Sequence, residues 1–160
     1  NNMNSKEIEI LDRLNFYNWY SDLAHKYESS TDEMLIKPDR KKVEKIIKDF
    51  GYVTEYYSNS KIFSIPTKFD GVDFYCNPQL NYGDARIYLY CEKGEQKFGD
   101  NLISICRLYE IAKGKDSGKY MLSPRFRSYD ELKEILGEVF EMYEKFKVSV
   151  YESKIFDQPT

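Results

Sequence analysis

Three observations predict an α+β fold for this chain. Two amphipathic helical segments come first, and a run of short aromatic and β-branched segments follows with no helix between them. A long helical pattern then closes the sequence. Strands grouped together, not alternating with helices, imply an antiparallel sheet, here of four to six strands, with one long C-terminal helix packed on it. The 160 residues fit a single domain, 1–160, without linker, repeat or low-complexity tract.

The first helix is expected to begin at Asn4 or Ser5, both good N-caps, and to run to about Glu28. Ile10, Leu14, Tyr17, Tyr20, Ala24 and Tyr27 form one stripe, which Phe16, Trp19 and Leu23 widen. In the second helix Pro38 suits the first position, and Val43, Ile46, Ile47 and Phe50 form the apolar face. Gly51 supplies the stop. Its outer face is basic, with Lys37, Arg40, Lys41, Lys42, Lys45 and Lys48.

Residues 52–58 and 61–66 read as strands around an Asn59-Ser60 turn, and 71–77 and 85–92 as two more, joined by a loop from Pro78 to Asp84. Residues 101–112 fit two patterns. Ile103, Ile105, Arg107, Tyr109 and Ile111 alternate as in a strand, whereas Leu102, Ile105, Cys106 and Tyr109 would line a helix. The strand is favoured, because Gly94 and Gly99 punctuate a hairpin-like return, and a short strand at 119–123 follows. In the last helix Ser128 and Glu131 form a capping box ahead of Leu132, Ile135, Leu136, Val139, Phe140 and Tyr143, with Gly137 on the other side.

Composition narrows the chemistry. The chain has 15 tyrosines, 10 phenylalanines and one tryptophan, but a single histidine, His25. Tyrosine offers a large, rigid, amphipathic contact surface; histidine is the commonest acid–base and metal-ligating side chain. Recognition is therefore favoured over catalysis. Part of the tyrosine excess reflects coding bias, since Asn, Lys, Ile and Tyr, all abundant here, have AT-rich codons. A net charge of −3 lacks the basic excess of a nucleic-acid binder, so no direct nucleic-acid contact is expected. No apolar run is long enough to span a membrane, and the N-terminal NNMNSKEIEI has no signal-peptide core, which points to the cytoplasm. Cys76, Cys91 and Cys106, odd in number and far apart, read as reduced thiols in strand cores.

The classical catalytic arrangements are missing. His25 is the one candidate base for a nucleophilic serine or cysteine, and no local signature supports the pairing; it reads as a rim histidine. No zinc-ligand pairs, Walker A loop or dinucleotide fingerprint occur. No cofactor, metal or catalytic residue is therefore assigned. Asp70, Asp73 and Asp84 could hold a divalent cation through oxygen ligands, or serve as turn and strand-start residues. Glu95-x-Lys97, with Asp84 upstream, weakly matches a nuclease element, but it lies in a Gly-flanked turn.

Two surfaces remain as partner-binding candidates. Glu131, Glu134, Glu138 and Glu141, spaced three, four and three apart, fall on one flank of the last helix, and Glu144 extends it. Such a flank is an ordinary solvated face or an acidic stripe that steers a basic partner, and the basic second helix could also meet it. Aromatic residues crowd the strands, and neighbouring pairs such as Tyr56-Tyr57 and Phe74-Tyr75 must point to opposite faces. If helices cover one face only, tyrosines such as Tyr56, Tyr88 and Tyr90 lie on the other and mark a protein-binding site.

The layout of an N-terminal helical part, a Tyr-rich meander and the run SPRFRSYDELKEILGEVFEMYEKF resembles the small α+β immunity proteins of bacterial polymorphic and contact-dependent toxin systems. That resemblance implies a cytoplasmic, non-enzymatic inhibitor that neutralises a cognate protein toxin domain by occluding its active site. The alternatives are a small-ligand or metal-dependent enzyme with a carboxylate site at the sheet edge, and a phage-encoded inhibitor of a host defence enzyme.

Overall fold

The computed structural model describes residues 2–30, 32–115, 118 and 121–157. Among these residues the chain forms α1 (Ser5–Arg13), α2 (Phe16–Lys26), α3 (Arg40–Asp49), six strands, α4 (Leu102–Ala112) and α5 (Tyr129–Ser153). The strands are β1 (Glu55–Tyr57), β2 (Ile62–Ser64), β3 (Pro66–Phe69), β4 (Val72–Asn81), β5 (Asp84–Lys93) and β6 (Gln96–Asn101). All pairings are antiparallel in the order β1-β2-β4-β5-β6, with β3 also on β4. This is the α+β architecture expected from the sequence.

β2 and β3 hold one common register against β4, so they act as a single long strand interrupted at Ile65. There the Asn77 side chain replaces a ladder bond by accepting the Ile65 N–H at 3.0 Å.

Alternation along the strands sorts the residues sharply. Val72, Phe74, Cys76, Leu80, Ala85, Ile87, Leu89, Cys91 and Phe98 are buried together beneath the helices in one core. α5 crosses this face. Its Phe146 ring lies 5.6 Å from Phe98 and 6.0 Å from Phe74, and its Tyr143 hydroxyl donates to the Ile65 carbonyl. α1 and α3 pack on α5, while α4 packs on β5, β6, α1 and α2. Every side chain of the predicted apolar face of α5 is buried. Among the described residues no helix is long and apolar enough to cross a membrane.

Several expectations need correction. The first helix is two helices, broken at Asn15, whose left-handed backbone (φ 49°) a short polar side chain tolerates. The break lets Ile10 and Leu11 on one segment, and Phe16, Tyr20 and Leu23 on the other, all reach the core. The helix expected from Pro38 starts two residues later behind an Asp39 cap, while Gly51, at φ 95°, does end it. No loop runs from Pro78 to Asp84: β4 continues to Asn81 and turns through Tyr82-Gly83 alone. Pro78 is tolerated because β2 meets this part of β4 through the single pair Ile62↔Gln79.

Residues 102–112 are helical. The Asn101 side chain caps the helix by accepting the Ser104 N–H at 2.8 Å, and Leu102, Ile105 and Cys106 bury one face. Cys106 is accordingly a helix-core residue, whereas Cys76 and Cys91 do lie in strands. Of the strand expected at 119–123, residues 119 and 120 lie outside the described residues, and 121–123 are irregular; Arg125 alone bridges to Asp84.

The capping box of α5 is half realised. Ser128 accepts the Glu131 N–H, but the Glu131 carboxylate turns to the Arg127 N–H and guanidinium. Gly137 does not face open solvent, since a Cβ there would meet the Phe50 ring at 3.5 Å.

Candidate functional site

The helices cover one face of the sheet, so the alternate strand residues make up a second, open face. Antiparallel register arranges them in rows across the strands. Lys68, Asp73, Glu92 and Lys97 form a charged row. Pro66, Tyr75, Tyr90 and Gly99 form the next, then Asn77, Tyr88 and Asn101, with Glu55 opposite Ser64 on the β1 side. Tyr57, Ile62, Gln79 and Arg86 complete the lattice.

Tyr75 and Tyr90 stand upright and stacked, with ring centroids 4.7 Å apart and planes 17° from parallel. The Lys97 ammonium sits 4.6 Å from the Tyr90 centroid, and Tyr57 donates to the Glu55 carboxylate at 3.0 Å. Gly99 makes this packing possible. Its φ of 110° suits only glycine, and a Cβ there would come 2.2 Å from the Leu89 carbonyl oxygen.

The row of phenols is held neutral. Burial, then Asp73 and Glu92, push Tyr75 above the ordinary tyrosine range. Burial, then Glu92 and Tyr75, do the same for Tyr90, and the Glu55 hydrogen bond does so for Tyr57. Charges on the face balance: Glu55, Asp73, Asp84 and Glu92 stand against Lys68, Arg86, Lys97 and Arg125, the last bridged to Asp84. The result is an electrically balanced platform of tyrosine rings with donor-acceptor hydroxyls and amides, a chemistry suited to contact.

Sequence-predicted residues divide between two surfaces. Tyr88 and Tyr90 lie on the open face. Tyr56 lies on the helix-covered face against Phe63, at 4.5 Å, with the Arg40 guanidinium over its ring. Tyr57 and Tyr75 take the place Tyr56 was expected to fill. Register was the missing signal, since one residue of slip exchanges the faces.

The glutamates of α5 sit on the helical side and are partly engaged by their own chain. Glu131 pairs with Arg127, which holds its carboxyl below the usual range. Glu134 accepts the Tyr27 hydroxyl at 2.8 Å, and Glu141 pairs with Lys145 at 3.1 Å. Glu138 is exposed. The α3 ion pairs, Arg40–Glu44 and Lys45–Asp49, stay within that helix.

The carboxylates considered for metal binding do not converge. Asp70 occupies the β3–β4 turn, and Asp73 pairs with Lys68 beside it. Asp84 starts β5 at the far end of the β4–β5 ladder, about 27 Å away by strand rise, and lies 3.3 Å from Arg125. Glu95 is in the exposed β5–β6 turn. Among the described residues no three His, Cys, Asp or Glu side chains gather as a metal site requires. His25 is exposed, with Nδ1 2.6 Å from the Ser21 carbonyl oxygen. All three cysteines are buried, and burial raises Cys91 and Cys106 to about 12, far from a reactive thiolate.

A cleft of about 360 Å³ opens where α1, the Asn15 break and α4 meet. Its central polar groups pair with one another. Tyr109 and Lys113 both donate to Asp12 and hold its carboxyl below the usual carboxylate range, and Tyr17 donates to the buried Glu110 and its pKa is raised to about 12. These contacts tie α4 to the α1–α2 unit.

Comparison with family models, with curated proteins and with solved structures finds no match to this chain.

Proposed function

We propose that this protein is a non-enzymatic protein-binding module that docks a heterologous protein on the open face of its sheet. One observation carries the reading: Tyr57, Tyr75, Tyr88 and Tyr90 share a face that no helix among the described residues covers. The charge balance of that face favours a partner surface that is itself largely uncharged at the contact and rich in hydrogen-bonding groups. In its specific form the module is a cytoplasmic immunity-type inhibitor that occludes the active site of a cognate bacterial toxin domain, a form supported by the helix–meander–helix layout.

The acidic flank of α5 lies on the helical side, so any role it has is in long-range steering, not in the contact. Calorimetry with the product of the neighbouring upstream gene tests the reading. A complex that weakens at least tenfold in the Tyr75→Ala/Tyr90→Ala double variant, with the variant still folded, is expected. Absence of any complex with the wild-type protein rejects the toxin pairing. Reversal of Glu134 and Glu138 to Lys is expected to slow association at low salt and to leave dissociation unchanged; an unaltered association rate removes the steering role.

A further inference from the structure

Two hairpins of the sheet use the same turn with different residues. Asp70-Gly71 joins β3 to β4 with φ of 53° and 75°, and Tyr82-Gly83 joins β4 to β5 with φ of 56° and 80°. Both are type I′ geometry, in which the first central residue must be left-handed. Aspartate and asparagine tolerate that conformation through local hydrogen bonding; a bulky aromatic side chain is penalised there.

Tyr82 recovers nothing visible for this strain. It is 68% exposed, and among the described residues its hydroxyl has no hydrogen-bond partner and its ring no aromatic neighbour. The turn beneath it is held firmly. The Gly83 carbonyl accepts the Phe126 N–H at 3.0 Å, and the Ala85 N–H donates to the Pro124 carbonyl at 2.8 Å. A Cβ on Gly83 would come 2.5 Å from Met34. A strained, solvent-facing ring on a fixed mount, continuous with the open face, has the attributes of a binding anchor: large contact area, few rotors and little ordering cost on association.

We infer that Tyr82 is a contact residue whose ring enters an apolar pocket on the protein partner, extending the open-face interface at its β4–β5 end. The inference rests on the protein-binding reading above. Asn81 and Asp84 pair directly beside the turn and continue the open-face rows to its foot, so a partner seated on that face meets the Tyr82 turn at its β4–β5 end.

The test measures Tyr82→Asn and Tyr82→Phe against wild type, for urea midpoint and for affinity to the neighbouring-gene product. Tyr82→Asn is expected to raise the midpoint and to weaken binding at least tenfold, while Tyr82→Phe leaves the midpoint unchanged and keeps most of the affinity. A lowered midpoint for Tyr82→Asn makes Tyr82 a structural residue and overturns the inference. Binding by Tyr82→Asn within twofold of wild type, while Tyr75→Ala/Tyr90→Ala loses it, overturns the anchor and leaves the open-face reading standing. No binding by wild type overturns both, and self-association abolished by Tyr82→Asn would make the pocket one on a second copy and overturn the heterologous partner.

Discussion

Residues 74 and 75 are neighbours in the chain and occupy two different environments. Phe74 is 1% exposed beneath α5, in edge contact with Phe146, whereas Tyr75 stands half-buried on the open face against Tyr90. The covered face is filled by aliphatic residues, phenylalanine and cysteine; the open face carries tyrosine, asparagine, glutamine and balanced charge. The same strand thus spends half of its side chains on folding and presents the other half to solvent. Aromatic content alone says nothing about function until each ring is assigned to a face.

Substitution should separate the faces by magnitude. Phe74→Ala is expected to cost about 3–5 kcal/mol, through lost burial and a cavity, as measured by denaturant unfolding. Tyr75→Ala should cost only about 1 kcal/mol, mainly the stack with Tyr90. Equal losses would mean that the open face is covered after all.

Gly99→Ala tests the point where the two faces touch the backbone. The left-handed φ and the contact with β5 should together cost roughly 2–3 kcal/mol and disturb the Tyr90 ring signals in NMR spectra.

Alkaline titration sharpens the contrast through the phenols. On the covered side, burial raises Tyr20 and Tyr143 far above the ordinary value, and burial followed by the Glu134 hydrogen bond raises Tyr27 to about 12. A folded value above the unfolded one, near 10, favours the neutral phenol in the folded state. The resulting stabilisation is fully present below about pH 10 and is lost as pH rises through about 12. Absorbance at alkaline pH should therefore show exposed tyrosines ionising first and the covered ones only as the sheet opens.

The smallest effect lies on the helical layer. Gly137→Ala is expected to stabilise by about 0.5–1 kcal/mol, because helix propensity improves and the new Cβ meets Phe50 at ordinary contact distance. A loss of stability would mean that the α3–α5 packing has no room for a methyl group.

Legibility followed the physics of each segment. α5 could be read because Leu132, Ile135, Leu136, Val139, Phe140 and Tyr143 repeat at helical spacing behind a Ser128 cap. α4 was misread because isoleucine and leucine occupy nearly every side of it, which erases the period; Asn101, three residues ahead of Ser104, was the overlooked cap. The break at Asn15 left no gap in the apolar stripe. Asp70-Gly71 has the residues its turn demands and is recognisable, whereas Tyr82-Gly83 does not, and Pro78 drew the loop boundary too early. At the candidate site, Tyr88 and Tyr90 fall on the open face and Tyr56 on the covered one, since pairing register is a tertiary property that a lone strand does not encode.

The three sealed thiols have a practical consequence. Cys76, Cys91 and Cys106 stand on two adjacent strands and on α4, none of them accessible in the closed molecule. Each can react with an alkylating reagent only when its own element parts from its neighbours, so the chain carries three built-in clocks for local opening. Their relative rates would tell whether sheet and helix layer loosen together or one before the other, without a single engineered label.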